Sequence, residues 1–418
     1  MRKIITFILF SVAFSANAQL ASTSPNFEKE LLQTQIDVVY LASDYLQGRE
    51  TGTIGEERAA DYIVHRFKEI GLTPKGDNGT WFQEFPWHEV TNPHASDKGK
   101  IEKIGKNVIG YIDNGAKTTV VIGGHYDHLG MGESGSRHTG EPAIHNGADD
   151  NASGIAAIFR IADRLKKSNL TSNNYLFIAF SGEEKGLFGS KYYANNSTIP
   201  IEEINYMFNM DMIGMLNEDK VLAVQGTGTS PVWKSILEKE NAQGLVVKQS
   251  KSGVGPSDHT SFYLKNIPVL HFFTGQHDYY HKPTDDAHIL NYEGIIAVSD
   301  FMLALIKEVD GSKLEFTKTK DNQQRKAASF KVTLGVMPDY VFNGRGMRVD
   351  SVIEGRVGHK GGLKDGDIII RIGNTNVTDI YAYMEGLSKY QRGDKTEVVV
   401  IRKDKDKKKE VKLKVKFD

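Results

Sequence analysis

Between residues 27 and 309, short apolar runs rich in β-branched or aromatic residues alternate with stretches of helical period. That alternation argues for a mostly parallel sheet covered by helices. Residues 55–70 put Ala59, Ile63, Phe67 and Ile70 on one helical face, and Gly71 stops the helix. Strands are expected at residues 120–122, 175–180, 206–209 and 269–273, with helical stretches such as 154–167 between them. The fold class read from this is α/β: a mostly parallel, mixed sheet flanked by helices, followed by a smaller β-rich unit.

The boundary between the two units is compositional. Residues 311–326, GSKLEFTKTKDNQQRK, are polar and aperiodic and read as a linker spanning 310–326. A second domain is expected over 327–418, made of short strands, one helix near 380–390 and a lysine-rich strand at 410–417. With 39% hydrophobic and 25% charged residues in 418, the chain is long and apolar enough for separate cores.

The first eighteen residues read differently. Arg2 and Lys3, an apolar run from residue 4 to 14 and Ala16-Asn17-Ala18 form the three-part pattern of a cleavable secretory signal. The apolar run is too short for a spanning helix, and no later stretch qualifies, so an exported protein, periplasmic or secreted and without a membrane span, is expected. The net charge of -1 provides no global attraction for nucleic acid. Cysteine is absent, which excludes disulfides, thiolate metal sites and a cysteine nucleophile. A metal ion would have to be held by His, Asp and Glu.

Such residues follow the strands directly: GGHYDHLG from Gly123, SGEEKGLFGS from Ser181 and NMDMIG from Asn209. NGADDNASG from Asn146 immediately precedes a helix, and YYHKPTDD from Tyr279 follows the strand at 269–273. In open parallel sheets the strand C-terminal ends converge, so these five loops can meet at one point. Imidazole and carboxylate are the donors zinc takes when no thiolate is present.

The five motifs, in this order, resemble the co-catalytic di-zinc aminopeptidases that include bacterial leucine aminopeptidases. LQGRETGTIGEERAADYI from Leu46 looks like that family's opening segment. The resemblance implies two Zn2+ per chain, one bound by His125 and Asp211, the other by Glu184 and His281, with Asp149 bridging. It implies Glu183 as general base, Asp127 as the hydrogen-bond partner of the His125 imidazole, and Tyr280 as a phenol that helps stabilise the tetrahedral oxyanion. A cis peptide joining Asp149 and Asp150 is implied as well. SDHTSF, residues 257–262, resembles a motif near the substrate pocket, with Asp258 either in a direct role or bracing the loop. His128, His138, His145 and His277 are expected at the surface or in support. The implied reaction is hydrolysis of the N-terminal peptide bond of peptides with a free N-terminus, by a zinc-bridging water. Some relatives carry an inserted domain before the first histidine; here that region is expected to be absent or reduced to a hairpin.

KGGLKDGDIIIRIGNTNV, residues 360–377, resembles the core of bacterial PDZ domains, and Thr333-Leu334-Gly335-Val336 matches the loop that grips a peptide's C-terminal carboxylate. That resemblance implies a C-terminal peptide ligand in a groove walled by the helix at 380–390. Two alternatives stay open: a glutaminyl cyclase-like enzyme using one zinc on the same scaffold, and a non-catalytic scaffold protein that binds peptides through the second domain.

Overall fold

The computed structural model describes residues 25–90, 100–240, 244–319, 332–339, 342, 344–352, 355–378, 380–404 and 407–417. The expected signal segment and the end of the expected linker lie outside the described residues.

Nine strands form the first sheet: β1 (Thr73–Pro74), β2 (Phe82–Val90), β3 (Lys100–Ile112), β4 (Thr119–His125), β5 (Asn174–Phe180), β6 (Ile204–Met210), β7 (Val221–Gln225), β8 (Val246–Ser250) and β9 (Val269–Phe273). Their order is β1-β3-β5-β4-β6-β9-β7-β8, with β2 paired to β3. The central strands β5, β4, β6 and β9 run parallel. On either side the pairing turns antiparallel, at β3 with β5 and at β7 with β9. The expected mostly parallel sheet is therefore a mixed one, parallel at the centre and again at the edge pair of β7 with β8. The region expected to be absent or a hairpin contains the long β2–β3 ribbon, whose register runs from Phe82 opposite Val108 to Val90 opposite Lys100.

Helices cover both faces because each central strand is apolar on both sides. Along β5, Tyr175, Phe177 and Ala179 join one core, while Leu176, Ile178 and Phe180 join another. The first core is closed by α1 (Pro25–Leu41), α2 (Ile54–Ile70), α3 (Gly154–Lys166), α5 (Val232–Glu240) and α7 (Tyr292–Glu308). The second packs under α4 (Phe188–Asn195) and α6 (His259–Tyr263). Helix α2 starts where the Thr53 hydroxyl accepts the Glu56 N–H and stops at Gly71, which sits at φ 85°. No helix among the described residues is long and apolar enough to cross a membrane.

One glycine brings two of these strands close. A Cβ on Gly124 would lie 2.7 Å from the Met210 carbonyl oxygen. Glycine there lets the end of β4 approach the end of β6, which brings His125 within reach of Asp211.

A second, antiparallel sheet holds β10 (Val336–Pro338), β11 (Met347–Val352), β12 (Ile368–Ile372), β13 (Thr375–Asn376), β14 (Lys395–Asp404) and β15 (Lys407–Lys416). Its order is β10-β11-β12-β14-β15, with β13 paired to β12. Its own core is built from Leu334, Val349, Ile369, Ile372, Val398 and Val400, together with Tyr383 and Leu387 of α9 (Ile380–Ser388). The short α8 (Val357–Lys360) precedes β12. Along the edge strand β15, Lys412, Lys414 and Lys416 are exposed while Val415 is buried, a period of two.

Candidate metal centre and active site

The site lies beyond the C-terminal ends of β4, β5, β6 and β9, where the strand order reverses on either side of β4. His125 ends β4, the Ser181 loop follows β5, Asp211 follows β6, and the loop carrying Tyr280 and His281 follows β9.

His125 Nε2 lies 3.2 Å from Asp150 Oδ1 and 3.3 Å from Asp211 Oδ1. The other oxygen of Asp150, Oδ2, lies 3.2 Å from His281 Nε2, which is in turn 3.3 Å from Glu184 Oε2. Glu184 Oε1 lies 2.8 Å from Nδ1 of His128. Two donor groups result: His125, Asp150 and Asp211 form one, and Asp150 and Glu184 with His128 and His281 the other. In the triads His125, Asp150, Asp211 and His128, Asp150, Glu184 the donor atoms lie within 4.8 Å of one another.

The bridging position differs from the expected one. Asp149 turns away: its Oδ1 accepts the Gly214 N–H at 2.6 Å, and its Oδ2 lies 3.0 Å from His277 Nε2. Asp150 stands between the two groups instead, and the cis peptide falls at Asp150–Asn151, one residue later than expected. Two neighbours hold this loop. Asp285 accepts the backbone N–H of Asp149 at 2.9 Å and of Asp150 at 3.1 Å. Asn151 donates to the Met210 carbonyl and accepts from the Gly154 and Met212 N–H groups.

Asp127 also acts differently from the expectation. The His125 Nδ1 meets the Asp127 backbone carbonyl at 3.1 Å, whereas the Asp127 carboxylate is 3.6 Å away. The carbonyl accepts the hydrogen bond of Nδ1–H, which leaves Nε2 to face Asp150 and Asp211. The carboxylate instead accepts the Glu183 N–H at 3.2 Å and the Thr51 hydroxyl at 3.0 Å. It thus fixes the loop that carries Glu183 and Glu184.

Behind the site the LQGRETG segment packs as a floor. Arg49 is 1% exposed and donates to the carbonyls of Leu41, Tyr126, Asn146 and Gly147. It ties the end of α1 to the loops that carry Asp127 and Asp150. Burial lowers its guanidinium to about 10, still charged at neutral pH, and Asp150, Asp285, Asp127 and Glu184 favour that charge.

The electrostatics separate the adjacent glutamates. Burial pushes Glu183 well above the usual carboxylate range, and Asp211, Asp258 and Glu184 add repulsion. Burial acts on Glu184 in the same direction, yet His281 and His128 hold it down to about 2. One carboxyl is therefore suited to carry a proton and its neighbour to stay an anion. Asp258 is fully buried with neither oxygen hydrogen-bonded, and burial raises it to about 7. Tyr280 stacks on His281, ring centroids 3.8 Å apart. A cavity of about 80 Å³ opens beside the cluster, lined by Glu183, Glu184, Asp150, Asp211, Tyr280 and His281 among others. A larger groove between α1, α2, α3 and α7 is lined by ion pairs such as Asp37 with Arg66 and Arg160 with Glu30, and by no histidine.

Sequence reasoning missed two residues here. His128, expected in support, is fully buried against Glu184; its spacing of three from His125 in HYDH was the available signal. Asp285 carried only the weaker signal of the acid pair ending YYHKPTDD. His138 is exposed near the loop tip, while His145 is buried and bonded to Ser136 and Ala143.

Residues 107–306 match peptidase family M28 over the span that contains β4 to α7. This stretch, just under half of the chain, is similar to the M28 peptidases. Aminopeptidase YwaD from Bacillus subtilis is 30% identical over 197 residues, 44% of this chain and 42% of that protein, so the chain spans under half the length of this relative. Among solved structures, BSAP, a zinc aminopeptidase from Bacillus subtilis, shares the fold with a TM-score of 0.52 at 18% identity, covering 71% of this chain and 97% of that one. Porphyromonas gingivalis glutaminyl cyclase shares it too, with a TM-score of 0.54 at 16% identity, over 66% of this chain and 98% of that one. The fold is common to both; the likeness does not divide hydrolysis from cyclisation.

Proposed function

We propose that the chain is an exported zinc aminopeptidase that removes N-terminal residues from peptides with a free N-terminus. The observation that carries this reading is Asp150, with one oxygen toward His125 and the other toward His281, beside a Glu183 that belongs to neither donor group. Nitrogen and carboxylate donors in two converging sets, with His128 Nε2 buried without a hydrogen bond, fit two zinc ions. His125, Asp150 and Asp211 would hold one; Asp150, Glu184 and His281 the other, with His128 beside Glu184. Zinc bound there lowers the pKa of water and stabilises negative charge on a substrate oxygen.

The chain's own residues do the rest. Glu183, raised by burial, takes the proton of the attacking water and returns it to the departing amine. Tyr280, stacked on His281 at the cavity wall, donates a hydrogen bond from its phenol to the carbonyl oxygen as charge develops. Carboxylates at the cavity favour the substrate's α-ammonium. The deciding experiment loads the protein with zinc and offers free and N-acetylated versions of one peptide. Loss of at least about tenfold in kcat/KM on acetylation supports the reading, since tenfold is about 1.4 kcal/mol. Equal cleavage of both sinks it, and conversion of N-terminal glutamine to a cyclised product with one zinc per chain replaces it with a cyclase.

The second sheet is read as a PDZ-like module over residues 327–418 that accepts a C-terminal peptide. Support comes from β10 as an edge strand and from Gly335, at φ 67°, in the loop before it. Binding of a peptide by the full chain with a free but not an amidated C-terminus is the test.

A further inference from the structure

The cavity beside the donor groups has two unlike ends. Strands β7 and β9 pair so that Ala223 faces Phe273 and Gln225 faces His271. Ala223 and Phe273 pack with Met212 and Tyr280 into a small apolar cluster next to the carboxylates. Two residues further along the same sheet face the wall becomes polar, with Gln225 and His271 both lining the cavity.

This polar end is built rather than incidental. His271 is 2% exposed, and its Nδ1 lies 3.0 Å from the Asn209 amide nitrogen, which fixes the ring's orientation. His259 stacks on it with ring centroids 4.4 Å apart, fully buried, and neither of its ring nitrogens has a hydrogen-bond partner. The Gln225 side chain is 6% exposed and forms no hydrogen bond among the described residues. Gly255 allows these groups to converge: a Cβ there would lie 2.7 Å from both Gln225 Oε1 and His259 Nε2. Gln225 lines the cavity with its buried amide unpaired, which costs free energy, so that end of the cavity is suited to an occupant that pairs with it.

We propose that this cavity receives the side chain of the substrate's first residue and selects amide or hydroxyl side chains over apolar ones of the same size. This rests on the aminopeptidase reading, which places the scissile bond at the adjoining carboxylates. The apolar collar of Met212, Phe273 and Tyr280 takes the methylene stem, and Gln225 and His271 meet a terminal group that both donates and accepts. A leucine or methionine side chain leaves them unpaired, and a site with unpaired buried polar groups discriminates strongly.

The test compares near-isosteric pairs of aminoacyl anilides, Asn with Leu and Gln with Met, on the full zinc-loaded chain, and thermal shifts produced by the free amino acids. Release of the aniline separates hydrolysis from cyclisation. Asn and Gln are expected to exceed Leu and Met at least tenfold in kcat/KM and to give the larger thermal shifts. Gln225→Leu and His271→Phe should each move the Gln to Met ratio toward Met by tenfold or more. A wild-type ratio at or below one, or a ratio untouched by Gln225→Leu, overturns the proposal. If no anilide is cleaved at all, the aminopeptidase reading falls instead, and the thermal shifts still decide the cavity's preference: equal or larger shifts with leucine and methionine overturn it.

Discussion

Asp285 Oδ2 accepts the backbone N–H of Asp150 at 3.1 Å, while its Oδ1 takes the N–H of Asp149. One carboxylate thus sets the backbone of the residue that faces both donor groups. Outer partners of this kind typically govern metal affinity by about 10- to 100-fold. Asp285→Ala should therefore weaken zinc binding by that order in a chelator competition, with a cooperative melt retained. Unchanged affinity would remove Asp285 from this role.

The register of the two aspartates gives a second expectation. Asp150→Asn should lower zinc content at both positions, because its oxygens face both groups. Asp149→Asn should keep most of the zinc and lower Tm, since the Asp149 carboxylate serves Gly214 and His277. The reverse outcome in metal analysis would restore Asp149 to the bridge.

Glu183→Gln should abolish hydrolysis and leave zinc content near that of the parent, whereas Glu184→Gln should lose zinc as well. The basis is that Glu184 contacts His128 and His281 directly. Equal zinc loss in both variants, measured by metal analysis, would mean the roles of the pair are misassigned.

Zinc binding should release protons and strengthen as pH rises. Burial alone would lower His281, but Glu184 and Asp150 outweigh it and raise the metal-free imidazole to about 10. At neutral pH zinc must displace that proton, so affinity climbs as pH rises toward 10. Calorimetric titration in two buffers of different ionisation enthalpy reads the proton count directly; no release at pH 7 would contradict the expectation.

Arg49→Met should destabilise the fold by about 3–5 kcal/mol, the range found on breaking a buried charged network. Four backbone carbonyls lose a guanidinium donor in that variant. Denaturant unfolding of the metal-free protein measures it, and a loss under about 1 kcal/mol, the worth of an ordinary hydrogen bond, would show that water replaces the guanidinium.

The strand of residues 269–273 and the start of the 154–167 helix were legible because apolar runs there have plain boundaries. Strand β4 was read short, at 120–122, because Gly123-Gly124 looks like a break; the close approach to Met210 that makes glycine necessary is a tertiary fact. Strand β8 escaped because it is half polar, VVKQS. Adjacent aspartates carry no sign of which faces inward, since Gly214 and His277, the groups that claim Asp149, lie 65 and 128 residues further along the chain. The same holds for Asp127, whose carboxylate is claimed by Thr51 and the Glu183 N–H.

Strand β15 closes one side of the second sheet with Lys412, Lys414 and Lys416 turned to solvent. An unpaired strand edge is a template on which another copy can add its own edge. Here the approaching copy would bring the same row of ammonium groups, and bringing like charges together in register is unfavourable. The lysines thus act as a guard against self-association, strongest at low ionic strength and weakened as salt screens them.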